Sequence, residues 1–249
     1  MTVTTEQPHS QTKTTPPGAE PRRQFVSFSF YKVQPEWRRL PAAEREEHRR
    51  ELAQVIHKWD QRDKFQSLTY STVGLRPDCE MMLWRICYTA DEIQMMTAEM
   101  LGTRLGGYME TPHNFIAMTK RSQYLIGHEH EGQTDSRGTI FPGGQKYIFV
   151  YPFWKTRAWY LLPLEERQKM MSEHIRVGHE YPRVKLNTTY SFGLDDQEFV
   201  VAFETDYPSD FLDLVQRLRE TQGSAYTLRD TPIFTCIRTT VEDMLKRLG

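Results

Sequence analysis

From residue 25 onward, apolar and polar positions recur along the chain in blocks of two kinds. Residues 25–31 alternate with period two and read as a strand. Over 42–59 the period becomes that of a helix: Leu52, Val55, Ile56 and Trp59 fall at i, i+3, i+4 and i+7, an amphipathic stripe. Strand character returns over 66–73 and 80–88, joined by Gly74-Leu75-Arg76-Pro77-Asp78, whose residue types make a turn. A second helix, 91–105, opens on acidic residues suited to the positive end of the helix dipole. The same order begins again about 120 residues later. In strand 146–153, Tyr147, Phe149, Tyr151 and Phe153 alternate against Ile148 and Val150. Helix 164–177 follows Pro163, a residue at home in a first helical turn. Strands 184–192 and 198–205 flank Gly193-Leu194-Asp195-Asp196, helix 209–219 buries Phe211, Leu212, Leu214, Val215 and Leu218, and strand 233–238 closes the unit.

Each half reads β-α-β-β-α-β, the ferredoxin-like unit. The expected fold class is α+β: tandem ferredoxin-like repeats forming a dimeric-type α+β barrel with helices outside. The division expected is a disordered tail at 1–23, an N-terminal half at 24–105, a connector at 106–145 and a C-terminal half at 146–249. The connector is poor in periodicity and rich in Gly, His and Thr; long connectors often border a site.

Composition narrows the classes. The 249 residues carry a net charge of −1 without a basic stripe, so nucleic acid is not an expected partner. No apolar run reaches the length of a membrane span. The first 23 residues are rich in Thr, Pro, Gln and Ser and lack the apolar core of a secretory signal. Cys79, Cys87 and Cys236 are odd in number and without C-x-x-C spacing, which points to a reduced, cytoplasmic protein. An aromatic content of 12% and eleven methionines suit a large apolar pocket and a thick ordinary core equally.

Helical spacing places Leu164, Met171, His174, Gly178 and Tyr181 on one stripe. Spacing alone suits a core histidine held by a backbone carbonyl as well as a metal ligand. Gly178 either clears space for a flat ligand or caps the helix. By the same reading Tyr151 is a core aromatic, Lys155 a surface lysine and Arg219 a helix-end arginine. His128 and His130, in the connector, read as part of a solvated loop rather than as a metal site.

Four segments change that balance: Tyr151-Pro152-Phe153, Glu173-His-Ile-Arg-Val-Gly178, Gly193-Leu-Asp-Asp196 and Thr227-Leu-Arg-Asp-Thr-Pro232. Together they resemble the chlorite-dismutase-like haem proteins, a family that includes chlorite dismutases and coproheme decarboxylases. The resemblance implies haem iron, with His174 as its ligand. It places Leu186 where chlorite dismutases carry a distal arginine, and strand parity turns the neighbouring Lys185 away. A pocket without that cation has little to stabilise an anionic oxidant fragment. Gln222, with Glu220 two residues away, stands nearest the position of the glutamate that holds the proximal histidine. Lys155 matches a lysine near the proximal side.

The decarboxylase branch implies further roles. Tyr151 matches the tyrosine that loses a hydrogen atom and then attacks a propionate. Arg219 and Ser224 match propionate-binding positions. Arg76 corresponds to a lysine that assists the reactive propionate, and Arg137 is a further candidate in the connector. The activity implied is hydrogen-peroxide-dependent decarboxylation of iron-coproporphyrin III (coproheme) to haem b. The alternatives are chlorite conversion to chloride and dioxygen, a haem carrier or sensor, and a binding module without iron. Porphyrin and hydrogen peroxide are the expected small-molecule partners. A ring-shaped homo-oligomer, usually a pentamer, and a ferrochelatase as substrate donor complete the expectation.

Overall fold

Alternating residues put one face of each strand inward and the other under a helix. The computed structural model describes residues 22–124 and 138–249. The N-terminal half runs β1 (Phe25–Val33), α1 (Ala42–Asp60), β2 (Gln66–Ser71), β3 (Met81–Cys87), α2 (Ala90–Leu101) and β4 (Met109–Met118). The C-terminal half runs β5 (Tyr147–Lys155), α3 (Arg157–Leu161), α4 (Leu164–His179), β6 (Lys185–Tyr190), β7 (Phe199–Thr205), α5 (Pro208–Arg219), β8 (Thr227–Arg229), β9 (Phe234–Arg238) and α6 (Val241–Lys246). Local chemistry sets the helix ends. Thr89 and Glu92 form a capping box on α2, and Gly102 ends it short of residue 105.

In the N-terminal half the strands lie in the order β4-β1-β3-β2; in the C-terminal half they lie β9-β5-β7-β6. Counted within each half, both sheets have the order fourth, first, third, second, the ferredoxin-like arrangement. Pairing of β2 with β9 and of β4 with β6 closes the eight strands into an antiparallel barrel, and β8 adds to β5 outside the ring. Inward-facing Val26, Phe28, Phe30, Trp84, Ile148, Val150 and Phe234 fill the interior. Phe30 and Phe234, one from each half, stack with ring centroids 3.9 Å apart. Burying each such ring contributes about 1.5–3 kcal/mol, so the interior is also the joint between the halves.

One end of the barrel is tied by a buried carboxylate. Glu204 accepts the N–H groups of Gly143 and Gly144 at 2.9 and 3.0 Å and the amide of Asn187 at 2.9 Å. These charge-assisted bonds offset the cost of removing the carboxylate from water. The turn needs glycine at 144, where φ is +85°.

The segment 106–145, expected as a connector, holds the ten-residue strand β4 and so supplies the sixth element of the first repeat. Its pattern is weak for physical reasons. Glu110, Thr111, Pro112 and Asn114 are exposed, and only Met109, Phe115 and Ala117 are buried apolar positions. Pro112 falls where pairing with β1 shifts register between Phe30 and Lys32, an irregularity that accommodates a missing N–H. Among the described residues no helix is long and apolar enough to cross a membrane.

Candidate functional site

The helix carrying His174 stands off the sheet it covers. Of the sixteen residues of α4, Val177 alone is buried, whereas α1 in the other half buries His48, Leu52, Ile56 and Trp59. The principal neighbours of α4 are α5 and the short turn Gln222–Tyr226 rather than strands. The sheet face beneath it is aromatic and apolar. Cross-strand register places Tyr147, Phe149, Tyr151 and Phe153 of β5 beside Phe203, Val201 and Phe199 of β7, which in turn flank Leu186, Thr188 and Tyr190 of β6. Phe153, Tyr190 and Phe192 all meet Phe199 with ring centroids 5.0–6.1 Å apart. A β-carbon built on Gly178 meets nothing within 4 Å. Apolar walls, a helix held away from them and open space beside Gly178 fit a flat hydrophobic ligand.

His174 is half-buried, and its pKa falls to about 4, chiefly because burial disfavours the imidazolium and secondarily because of the Lys155 charge; Glu173 opposes the shift. The ring is therefore neutral near pH 7 and keeps a lone pair, as a metal ligand must. Among the described residues no cluster of three or more His, Cys, Asp or Glu side chains could hold a metal ion. Iron bound by His174 must accordingly bring most of its ligands with it, and a porphyrin does so.

The residues suggested for histidine support are engaged elsewhere. Gln222 has an exposed side chain, and its peptide N–H donates to Glu173 at 3.0 Å. Glu220 pairs with Arg217. Lys155 leans over the rings of Phe153 and Trp159 and donates from Nζ to the Gly223 carbonyl at 2.6 Å. Burial lowers its pKa to about 8. The resemblance gave Lys155 a place near the proximal side, and its charge does reach His174.

Tyr151 lies on the pocket face of β5, 8% exposed, with its ring stacked on Phe203. Burial raises its pKa, the charge of Asp230 raises it further and Arg219 opposes, so the phenol keeps its proton at neutral pH. Arg219, the last residue of α5, forms an ion pair with Asp230. Ser224 donates its hydroxyl to the main-chain carbonyls of Arg219 and Thr221 at 2.7 and 2.8 Å. That serine closes the C-terminal end of α5, and it must turn to meet a ligand carboxylate.

Leu186 is 46% exposed on the same sheet face, opposite Phe203. Lys185 points to the other face and donates to the Phe141 carbonyl, so the pocket side of β6 carries Leu186, Thr188 and Tyr190 and no cation. Arg76 does not join the site. Asp78 takes its guanidinium in two hydrogen bonds of 2.9 and 2.6 Å, and its plane lies over Phe234, whose ring belongs to the barrel interior. The sheet separates it from Tyr151 because Val150, paired with Phe234, faces inward and Tyr151 the opposite way. Arg137, His128 and His130 lie outside the described residues.

Sequence reasoning passed over Asp230, Glu173, Trp159 and Glu198. Asp230 sits within the quoted Thr-Leu-Arg-Asp-Thr-Pro segment, but nothing in that pattern marks an acid that meets Arg219. Glu198 is nearly buried, where its carboxylate accepts the Lys155 peptide N–H at 2.8 Å and the Tyr160 hydroxyl.

A two-repeat α+β barrel with a histidine-bearing helix held off one sheet is the architecture of a known class. The chain belongs to the chlorite dismutase family, whose model matches residues 45–239. Among its relatives, the coproheme decarboxylase of Mycolicibacterium smegmatis is 32% identical over 183 residues, covering 72% of this chain and 75% of the relative. A mutant chlorite dismutase from Candidatus Nitrospira defluvii superposes with a TM-score of 0.81 at 23% identity, covering 90% of this chain and 95% of that one. A structure described as a novel heme-binding protein from Thermus thermophilus gives a TM-score of 0.80 at 21% identity, with 91% and 95% covered. At these identities the structural matches establish the fold.

Proposed function

We propose that the protein is a coproheme decarboxylase, using hydrogen peroxide to convert two propionates of iron-coproporphyrin III to vinyl groups and so yield haem b. The observation that carries this reading is the placement of Tyr151 on the pocket face of β5, beside the Arg219–Asp230 pair, in a pocket whose β6 side offers Leu186 and no cation. The decarboxylase relative adds to it.

His174 offers a neutral imidazole to the iron. Arg219 and Ser224 stand where a porphyrin edge would present its carboxylates, and arginine binds such groups through paired N–H donors. The iron porphyrin, once bound, supplies oxidising equivalents from peroxide. Tyr151 gives up proton and electron together, because burial and the Asp230 charge disfavour the phenolate. The phenoxyl oxygen then takes a hydrogen atom from the adjacent propionate chain; loss of a second electron and of carbon dioxide leaves the vinyl group. For each propionate, one peroxide takes up two electrons and two protons to become two waters. The side chain supplies both electrons and one of the protons, and solvent supplies the other.

The test is to load the protein with iron-coproporphyrin, titrate hydrogen peroxide and follow porphyrin mass. Stepwise loss of two carboxyl groups is expected in the wild type and none in Tyr151→Phe. An unchanged mass, or full activity in the variant, overturns the reading. The family name keeps chlorite as the second substrate to try, and sustained dioxygen release on adding it would favour that activity despite Leu186.

A further inference from the structure

Asp230 occupies the short segment 230–233 between β8 and β9. Both strands pair with β5, Arg229 opposite Trp154 and Phe234 opposite Val150, so the segment runs beside Tyr151, Pro152 and Phe153. From the other side α5 delivers Arg219, whose Nη2 group reaches the Asp230 carboxylate. The acid is 18% exposed and the arginine 51%. A guanidinium is a planar fork with more than one donating edge, so a pair made through Nη2 leaves Nη1 available to a second carboxylate. An arginine on the last residue of a helix, half in solvent, otherwise has many rotamers to lose when it binds.

We propose that Asp230 is the positioning residue of the carboxylate end of this pocket: it holds the Arg219 fork at the Tyr151 edge, in place to receive a propionate. The inference rests on the porphyrin reading above and deepens it. Asp230 acts through Arg219, and it selects for the acidic side chains of the ligand rather than for the macrocycle. Preorganisation of this kind raises affinity by reducing the ordering cost of binding.

The test measures binding without turnover, in the absence of peroxide. Affinity for iron-coproporphyrin and for its uncharged tetramethyl ester is determined by absorbance titration for the wild type, Asp230→Asn, Asp230→Glu, Arg219→Gln and the Asp230→Asn/Arg219→Gln pair. Asp230→Asn is expected to weaken the acid form about tenfold, leave the ester unchanged and add nothing once Arg219 is gone. Asp230→Glu, which keeps the charge, is expected to recover most of the loss. Unchanged or tighter binding of the acid in Asp230→Asn overturns the proposal, as does equal loss for acid and ester. If Asp230→Asn does not fold, the Glu and Arg219 variants decide: loss confined to the acid in Arg219→Gln, with binding kept in Asp230→Glu, supports it, and any other pattern overturns it. A wild type that binds neither porphyrin removes the porphyrin reading and this proposal with it, whereas wild-type binding that is indifferent to Asp230 removes only the proposal.

Discussion

The two halves of the barrel share one order of elements and use the space under their first long helix in opposite ways. In the N-terminal half Trp37, Leu52, Ile56, Trp59, Met96 and Met100 fill it, and α6 from the chain end adds Met244, Leu245 and, just beyond it, Leu248. In the C-terminal half six buried residues form the corresponding cluster, and α4 contributes one of them, Val177. Each helix carries a histidine. His48 on α1 is buried against Tyr108 within reach of Glu44, while His174 on α4 borders the aromatic pocket wall. The same fold thus yields a scaffold where large side chains close the gap and a site where they do not.

The two histidines give the most direct challenge to that contrast. His174→Ala is expected to abolish the optical signature of an imidazole-ligated porphyrin and with it decarboxylation, whereas His48→Ala leaves the spectrum of the loaded protein unchanged; absorbance spectra of both variants check this. Packing comes next. Ile56→Ala, in the filled half, should cost about 2–5 kcal/mol of unfolding free energy. Ile175→Ala, on half-buried α4, should cost about 1 kcal/mol or less in the ligand-free protein. Urea unfolding followed by circular dichroism measures both, and equal losses would show α4 to be packed as α1 is.

Smaller effects refine the distinction. Gly178→Ala places a methyl group in open space, so the ligand-free protein should gain about 0.5–1 kcal/mol from helix propensity. The same methyl should weaken iron-coproporphyrin binding if the space belongs to the ligand, which a parallel melt and titration will separate. The last prediction concerns pH. Burial lowers the Lys155 pKa from its ordinary 10.5 to about 8, so between these values the unfolded chain binds more protons than the folded one. Stability from this group therefore rises with pH through that window, and the penalty is fully present below it. Lys155→Met should lack the rise, as urea midpoints measured across the window will report.

Much of the architecture was legible in residues with simple surroundings. The alternation of β1 and β5 assigned each side chain to the interior or the outer face, and the stripe Leu52-Val55-Ile56-Trp59 located α1. β4 escaped because its outer face meets solvent and Pro112 interrupts the ladder, so its polar residues obey no period that burial would impose. Arg76 was misplaced for a different reason. A motif position fixes a residue within its turn, but the sheet face toward which that turn leans depends on partners distant in sequence, here Asp78, Ile233 and Phe234.

The repeat, the strand faces and the motif around His174 could all be read along the chain, because periodicity and local turn chemistry act over a few residues. That α4 stands off its sheet, and that Arg219 meets Asp230 beside Tyr151, emerged with the folded arrangement alone. Those are relations between segments well separated along the chain, governed by how the barrel closes and by which side chains are large enough to fill the space beneath a helix.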